Sequence, residues 1–353
     1  MKRVMVGLSG GVDSSVAALR LQKKGYEVIG VFIKVWHPDF LVCNWQEERR
    51  DAMRVAAHLG IPFLTCDAES VYYEEVAKYF IDAYRVGETP NPDVMCNRAI
   101  KFGAFRDFAQ RHNIELIATG HYAQNIYNDV TRQYELHRGV DNTKDQTYFL
   151  WTLTQTDLCN VCFPIGDTTK EQIRKEASEH NIPTAQKADS QGICFLGHIN
   201  IYDFLSRFID LSNGPVCDSS GKQIGEHQGS ICYTIGQRHG YAVTDTTYAG
   251  TATYVHSIDH SRNMLFVDTR PPIQAPKTRL TLRSVNLLHS VSPESECQIQ
   301  LRYRQKPIPA VIESVTETEI VITLQNRSDD VATGQSCVLY RDSQCLGGGI
   351  IQR

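Results

Sequence analysis

The segment from Val4 to Ser15 constrains this chain more than any other. An apolar run, Val4 to Leu8, stops at Ser9-Gly10-Gly11-Val12-Asp13-Ser14, and a helical pattern starts at once. A strand, a glycine turn and a helix N-terminus in that order commit the chain to begin as a βα unit. Adjacent glycines let the backbone approach a bulky anion. The amides of a helix start, with the hydroxyls of Ser9, Ser14 and Ser15, are suited to phosphate oxygens. No Gly-Lys-Ser/Thr follows, so this is not a Walker loop, and the G-x-G-x-x-G dinucleotide fingerprint is absent. An ordinary strand-to-helix turn shares the glycine pair, but the serines and the aspartate favour a nucleotide site.

The next 110 or so residues repeat the pattern. Strands are expected at Tyr26 to Ile33, Phe63 to Asp67 and Glu115 to Thr119. Helices are expected at 14–24, Glu47 to Leu59, 70–86 and 98–111, with a loop carrying two prolines from Gly87 to Asn97. This alternation predicts an α/β domain with a doubly wound parallel sheet, whose ligands bind at the carboxyl ends of the strands. Residues 124–140 read as a polar hairpin and 151–182 as interrupted helix. Lys187 to Phe195 reads as a loop and 200–210 as a short helix.

After Asn213-Gly214-Pro215 the texture changes to short strands and glycine turns. Pro271, Pro272 and Pro276 mark a linker, and from 277 onward the pattern is strands only. Six are expected: Thr278–Asn286, Glu296–Tyr303, Pro309–Val315, Ile320–Leu324, Ser336–Tyr340 and Gly347–Ile351. The expected organisation is a nucleotide-binding domain at 1–210, a small β-rich domain at 211–272 and a C-terminal antiparallel β-barrel at 273–353.

Composition excludes several classes. No apolar run reaches the ~18 residues of a membrane span, and Met1-Lys2-Arg3 leads directly into a strand without signal-peptide architecture. The 11 cysteines are an odd number, scattered through 353 residues, which favours a reducing cytoplasm and free thiols. A net charge of −4 requires any nucleic-acid surface to be local.

Two cysteines sit in loops with unusual neighbours. Cys96 follows Asn91-Pro92-Asp93, and Cys194 ends Asp189-Ser190-Gln191-Gly192-Ile193-Cys194. On local grounds each is either a reactive thiol or a small buried hydrophobe. The buried reading applies to Cys66, Cys217, Cys232, Cys297, Cys337 and Cys345, and also to the Cys159-x-x-Cys162 pair, which lacks a second pair at zinc spacing. Asp93 is either a general base or the shaper of an Asn-Pro-Asp turn. On a strand, Arg302, Arg304 and Lys306 would form a basic strip, or merely a solvated face.

The glycine loop resembles that of the ATP pyrophosphatases, the adenine-nucleotide alpha-hydrolase-like enzymes. The resemblance narrows with further motifs in order: Asn91-Pro92-Asp93-x-x-Cys96-Asn97, Ala118-Thr119-Gly120-His121-Tyr122, Lys144-Asp145-Gln146-x-Tyr148-Phe149-Leu150 and Asp189-Ser190-x-Gly192-Ile193-Cys194-Phe195. Gly225-Glu226-His227-x-Gly229, Arg302-Tyr303-Arg304-Gln305 and the ending Gly334-Gln335-Ser336 with Cys345 to Ile351 follow. Across essentially its whole length the chain is similar to the bacterial tRNA-specific 2-thiouridylases, the MnmA/TrmU family.

That resemblance implies adenylylation of the C2 oxygen of the wobble uridine, then its displacement by sulfur. It implies ATP and Mg2+ as cofactors, with Gly7, Leu8, Ser9, Gly10, Gly11, Val12, Asp13, Ser14, Ile33 and Gly120 at the nucleotide. Asp13 is a candidate magnesium ligand, although no metal-ligand motif is present. The resemblance implies a persulfide on Cys194, Cys96 as its partner thiol, a transient Cys96–Cys194 disulfide and Asp93 as general base or orienter. It implies tRNA contacts, centred on the anticodon stem-loop, from Asn91, Pro92, Asp93, His121, Lys144, Asp145, Gln146, Arg302, Tyr303 and Gln335. A sulfur-relay or desulfurase protein would be the donor, and a monomer is expected. Competing readings are a ligase acting on a small metabolite, an ATP-gated RNA-binding protein, and a thiolase using an iron–sulfur cluster on Cys96, Cys194 and a third ligand such as Asp93.

Overall fold

A computed structural model describes residues 1–40, 45–188, 200–271, 279–325 and 331–352. Cys194, with the part of its loop from 189 onward, and Cys43 lie outside the described residues. Five parallel strands form the first sheet, in the order Phe63–Asp67, Glu27–Lys34, Arg3–Gly7, Leu116–Ala118 and Val161–Cys162. The central strand Arg3–Gly7 is apolar because both of its faces are covered: Val4, Met5 and Val6 are fully buried. On one face, helix Val12–Lys23 buries Val16, Ala17 and Ala18 beside helix Trp45–Leu59. On the other, Phe102, Phe105 and Ala109 pack on Met5 and Val31. Among the described residues no helix is long and apolar enough to cross a membrane.

Two sequence expectations need correction here. Residues 151–182 are not simply interrupted helix, because Val161–Cys162 adds the fifth strand of the sheet. Two residues are too few to leave a periodic signal. The Cys159-x-x-Cys162 pair is also not core: Cys159 ends helix Gln155–Cys159 and is exposed, and Cys162 is half-buried at the sheet edge.

The second sheet orders Ala242–Val243, Gln223–His227, Gly214–Cys217, Met264–Asp268 and Tyr254–Asp259 around a small core of Val216, Ile224, Val255 and Leu265. In the third, six strands close into a ring, because Gln344–Gln352 pairs both with Ser336–Arg341 and with Arg279–Leu287. Closure removes exposed sheet edges. The hairpin Ala123–Asn128 with Gln133–Arg138 leaves the first domain and extends this barrel's sheet, with His137 beside Gln344 and Leu136 beside Cys345.

An ion pair between the buried Asp145 and the half-buried Arg138 locks that junction. Arg138 donates to Asp145 at 2.7 Å and to Gln300 at 3.2 Å, and its guanidinium lies 3.6 Å from the centroid of the Tyr340 ring. Asp145 also accepts from the Gly139 amide and from the amide and hydroxyl of Thr147. Removing one partner of a buried pair strands the other charge. Asp145→Ala is therefore expected to lower stability by about 3–5 kcal/mol, read from the urea unfolding transition.

Candidate active site at the junction of three domains

The glycine loop adopts the geometry an anion needs. Gly10 has φ +71°, and a Cβ there would lie 2.6 Å from the Glu48 carbonyl oxygen and 2.9 Å from Asp51 Cβ. Gly11 is the N-cap of helix Val12–Lys23 and, having no side chain, offers no side-chain cap to the first amides. The serines brace the turn: the Gly11 amide donates to Ser9 Oγ at 3.3 Å, the Ser9 amide to Ser14 Oγ at 3.2 Å, and Ser15 Oγ to the Gly11 carbonyl at 2.7 Å. Gly120, just past strand Leu116–Ala118, lies on the helix start, where a Cβ would come within 2.6 Å of the Ser14 nitrogen. Ile33, near the end of strand Glu27–Lys34, brings its Cδ1 to 3.7 Å from where a Cβ on Gly7 would sit.

Asp13 is held by two residues that sequence reasoning missed. Lys170 Nζ donates to both of its oxygens at 2.8 Å, and the Tyr122 hydroxyl donates to Oδ1 at 2.7 Å. Lys170 is the first residue of helix Lys170–Glu179, which a Thr169/Gln172 capping box starts. Its separation of 157 residues from Asp13 hides the pair from any sequence window. Tyr122, by contrast, lay within the Gly120-His121-Tyr122 motif. The only available signal for Lys170 was a capping box placing a lysine at a helix start.

The Asn91 to Asn97 segment is a correction. It is not a loop: Pro92–Cys96 is an α-helix that runs into a π-helix, Asn97–Ala104, and then into helix Phe105–Arg111. Asn91 caps it, its Oδ1 accepting from the Val94 amide at 3.4 Å, with Pro92 in the first turn. Asp93 and Cys96 therefore lie about one turn apart on one helix, and Cys96 is 4% exposed. Burial pushes the Asp93 carboxyl above its ordinary range, with Lys101 pulling the other way. Lys101, on the π-helix, also reaches His121, with 3.4 Å between Nζ and Nε2. His121 is buried between Phe102 and Phe163, and burial together with Lys101 holds it well below its ordinary pKa. It is therefore a neutral imidazole, with Nδ1 2.7 Å from Thr119 Oγ1.

The folded pKa of Asp93 lies above the unfolded one. Ionising it therefore weakens folding as pH rises through the carboxylate range. Asp93→Asn is expected to raise thermal stability at neutral pH while lowering turnover ~10²–10⁴-fold. Melting curves and the pH–rate profile check this. The wild-type acid limb should lie above the ordinary carboxylate value of about 3.9, and the variant should lose it.

The basic strip also needs correction. The strand ends at Gln300, and residues 301–306 form a turn braced by Gln305 Oε1, which accepts from the Leu301 amide at 2.8 Å, with Arg304 at φ +63°. Arg302 and Tyr303 are thereby turned into a cleft of about 660 Å³, while Arg304 and Lys306 do not line it. Asn91, Pro92, Asp93, Arg302, Tyr303 and Gln335 share this cleft. Both β domains pin its rim. Gln335 Nε2 donates to the Thr89 carbonyl at 3.0 Å, the Thr89 amide to the Thr333 carbonyl at 2.8 Å, and Thr89 Oγ1 lies 3.1 Å from Thr234 Oγ1. Lys144, Asp145, Gln146 and His121 are not among the lining residues. Asp145 serves the barrel junction, and Gln146 Oε1 accepts from the Tyr122 amide at 3.0 Å. Cys66, Cys217, Cys297, Cys337 and Cys345 are buried, as expected of core thiols, whereas Cys232 is only half-buried; burial pushes Cys66 and Cys297 up to about 11 and Cys345 to about 12.

An anion-ready glycine loop at the carboxyl edge of a parallel sheet, coupled to two β domains, defines a nucleotide-binding enzyme with appended barrels. The family models agree. Residues 2–198 match the tRNA methyl transferase HUP domain, 202–269 the tRNA methyl transferase PRC-barrel domain, and 277–351 the aminomethyltransferase beta-barrel domain. The tRNA-specific 2-thiouridylase MnmA of Staphylococcus carnosus is 40% identical over 354 residues, covering 99% of this chain and 95% of that protein. Those of Bacillus cytotoxicus and Proteus mirabilis are 41% and 39% identical, each over 99% of this chain and over 94% and 97% of their own lengths. The chain belongs to the tRNA-specific 2-thiouridylase MnmA family, a family of tRNA sulfurtransferases.

Proposed function

We propose that this enzyme carries out ATP-dependent 2-thiolation of the wobble uridine, position 34, of tRNA. The observation that carries the reading is the shared helix. Asp93 opens into the three-domain cleft, Cys96 lies about one turn behind it, and the same domain carries the glycine loop. Gly7, Leu8, Ser9, Gly10, Gly11, Val12, Asp13 and Ser14 would hold the ATP phosphates, and Ile33 and Gly120 would flank the nucleoside. Among the described residues no protein-held magnesium site is formed. Lys170 neutralises Asp13 on both oxygens, and no three His, Cys, Asp or Glu side chains converge on a metal among the described residues. Mg2+ is therefore assigned to the nucleotide's own phosphate oxygens.

The C2 oxygen of a pyrimidine is a poor leaving group. Its attack on the α-phosphorus releases pyrophosphate and turns it into AMP, a good one. Sulfur then adds at C2 and AMP departs. The sulfur source is a persulfide on Cys194, recharged by a donor protein. Either Cys96 attacks Cys194 Sγ and releases hydrosulfide as the nucleophile, or the terminal sulfur attacks C2 and Cys96 then frees the product from Cys194. Both routes leave a Cys96–Cys194 disulfide, which a two-electron thiol reductant must reopen. The target base leaves the anticodon stack to reach Asp93. Asn91, Pro92, Arg302, Tyr303 and Gln335 would form its walls, and His121, Lys144, Asp145 and Gln146, which do not line the cleft, would contact the tRNA elsewhere. The disulfide cycle fits a reducing cytoplasm.

Protein incubated with ATP, Mg2+, a persulfide donor and unmodified tRNA should yield 2-thiouridine by mass spectrometry of the digest. Absence of product would refute the proposal. Lys170 gives a second check. Lys170→Met leaves the Asp13 carboxylate unpaired beside the phosphates, and should raise the ATP concentration for half-maximal turnover on the order of tenfold or more. Lys170→Arg should recover part of it.

A further inference from the structure

The cleft has a third wall, which the motifs never pointed to. The central β-rich domain contributes Thr234, Ile235, Gly236, Gln237, Tyr254 and Pro271 to its lining. This wall is rigid. The Gly236 amide donates to the Val255 carbonyl at 2.8 Å and the Val255 amide to the Gln237 carbonyl at 2.9 Å, so the 234–237 turn is pinned to the strand that carries Tyr254. The Thr234 amide donates to Gln237 Oε1 at 3.1 Å, and the Thr234 hydroxyl meets Thr89 across the domain boundary.

The chemistry of this wall repeats that of the barrel wall. On the barrel side, the Tyr303 ring packs against Phe149 at 4.5 Å between centroids, tilted by 46°, and the Arg304 guanidinium lies 5.2 Å from the Tyr303 ring. On the central side, the exposed Arg238 guanidinium lies 5.3 Å from the half-buried Tyr254 ring. Tyr254 and Tyr303 thus line one cleft from different domains, together with Asp93 of the first domain, and each tyrosine has an arginine against its ring that is not itself a lining residue. Aromatic faces backed by guanidinium groups are the chemistry of single-stranded RNA recognition, because every base offers a π-face and every nucleotide a phosphate. At about 660 Å³ the cleft falls within the ~300–1,000 Å³ range that encloses a drug-sized molecule. It has room beyond the one base that enters toward Asp93.

We propose that Tyr254 and Arg238 of the central domain form a stacking platform for a nucleotide adjoining the target uridine, holding the anticodon loop open while the target base is engaged. The inference rests on the tRNA reading above. Its ligand is an unstacked base with its phosphate, and its residues act by positioning the RNA rather than on the reacting atoms.

The test uses the full chain and a fluorescent anticodon stem-loop, with affinity read by anisotropy. Tyr254→Ala should weaken binding about five- to a hundredfold, the range that base–aromatic stacking supplies. Tyr254→Phe should retain binding, since it keeps the ring. Arg238→Ala, at an exposed position, should weaken binding severalfold and lessen its salt dependence. The discriminating arm uses stem-loops made abasic at one or the other neighbour of the target uridine. On one of these RNAs, Tyr254→Ala should bind no worse than wild type. If the Tyr254→Ala penalty is the same on intact and both abasic RNAs, or if there is no penalty, the platform is refuted while the tRNA reading stands. If wild type does not bind the intact stem-loop, both fall.

Discussion

Cys96→Ser should abolish formation of 2-thiouridine, by at least about 10³-fold, while tRNA still binds and pyrophosphate is still released on adenylylation. A hydroxyl neither attacks a persulfide nor closes a disulfide, so sulfur is neither released nor resolved. The site makes the substitution clean. Cys96 ends helix Pro92–Cys96 at 4% exposure, and oxygen for sulfur is a near-isosteric change that leaves the Asn91 cap and Asp93 in place. Stalling after adenylylation also separates two roles. If the sulfur step alone is lost, AMP-uridine should accumulate and be trapped on the enzyme. If pyrophosphate release falls together with thiolation, Cys96 is serving the architecture of the Asp93 turn. Burial of Cys96 further requires that its partner thiol come to it, or that the helix open, each time the disulfide forms.

Gly10→Ala should weaken nucleotide binding about 10–100-fold, measured by ATP titration. Two effects act together. The backbone is at φ +71°, which an L side chain adopts only with strain of about 1–2 kcal/mol. The new Cβ would also meet the Glu48 carbonyl oxygen at 2.6 Å, backbone that cannot rotate away, and Asp51 Cβ at 2.9 Å. Helix Trp45–Leu59 must shift or the loop must flatten, and either movement turns the first amides of helix Val12–Lys23 away from the phosphates. Asp51 is also bonded to Lys187 at 2.7 Å, where the chain leads toward Cys194. Normal ATP affinity in this variant would show that the loop does not bind the phosphates through its amides.

What the sequence made legible follows from how local each signal is. Ser9-Gly10-Gly11-Val12-Asp13-Ser14 announces its strand, turn and helix within a dozen residues, and the alternation behind it is enough to call for a parallel sheet. The six barrel strands follow from spacing alone. Failures occurred where local cues point two ways. Asn91-Pro92 reads as a turn because of its prolines, yet Asn at the cap and Pro in the first turn are also the start of a helix, and the fold chose the helix. Arg302 to Lys306 alternates as a strand should, but Gln305 folds back on the Leu301 amide and makes a turn. Other features lay beyond any sequence window. Lys170 on Asp13, the Ala123–Arg138 hairpin joining a barrel begun some 140 residues later, and the Thr234–Gln237 wall of the cleft depend on tertiary placement.

The order of events at C2 is the centre of this account, and an isotope decides it. tRNA carrying 18O at O2 of the target uridine is incubated with the enzyme, ATP, Mg2+ and a persulfide donor, and the products are resolved by mass spectrometry. Adenylylation followed by displacement predicts one 18O in the AMP released for each 2-thiouridine formed, with none in inorganic phosphate. Label in inorganic phosphate with ADP as co-product, or 2-thiouridine formed with unlabelled AMP, would contradict it.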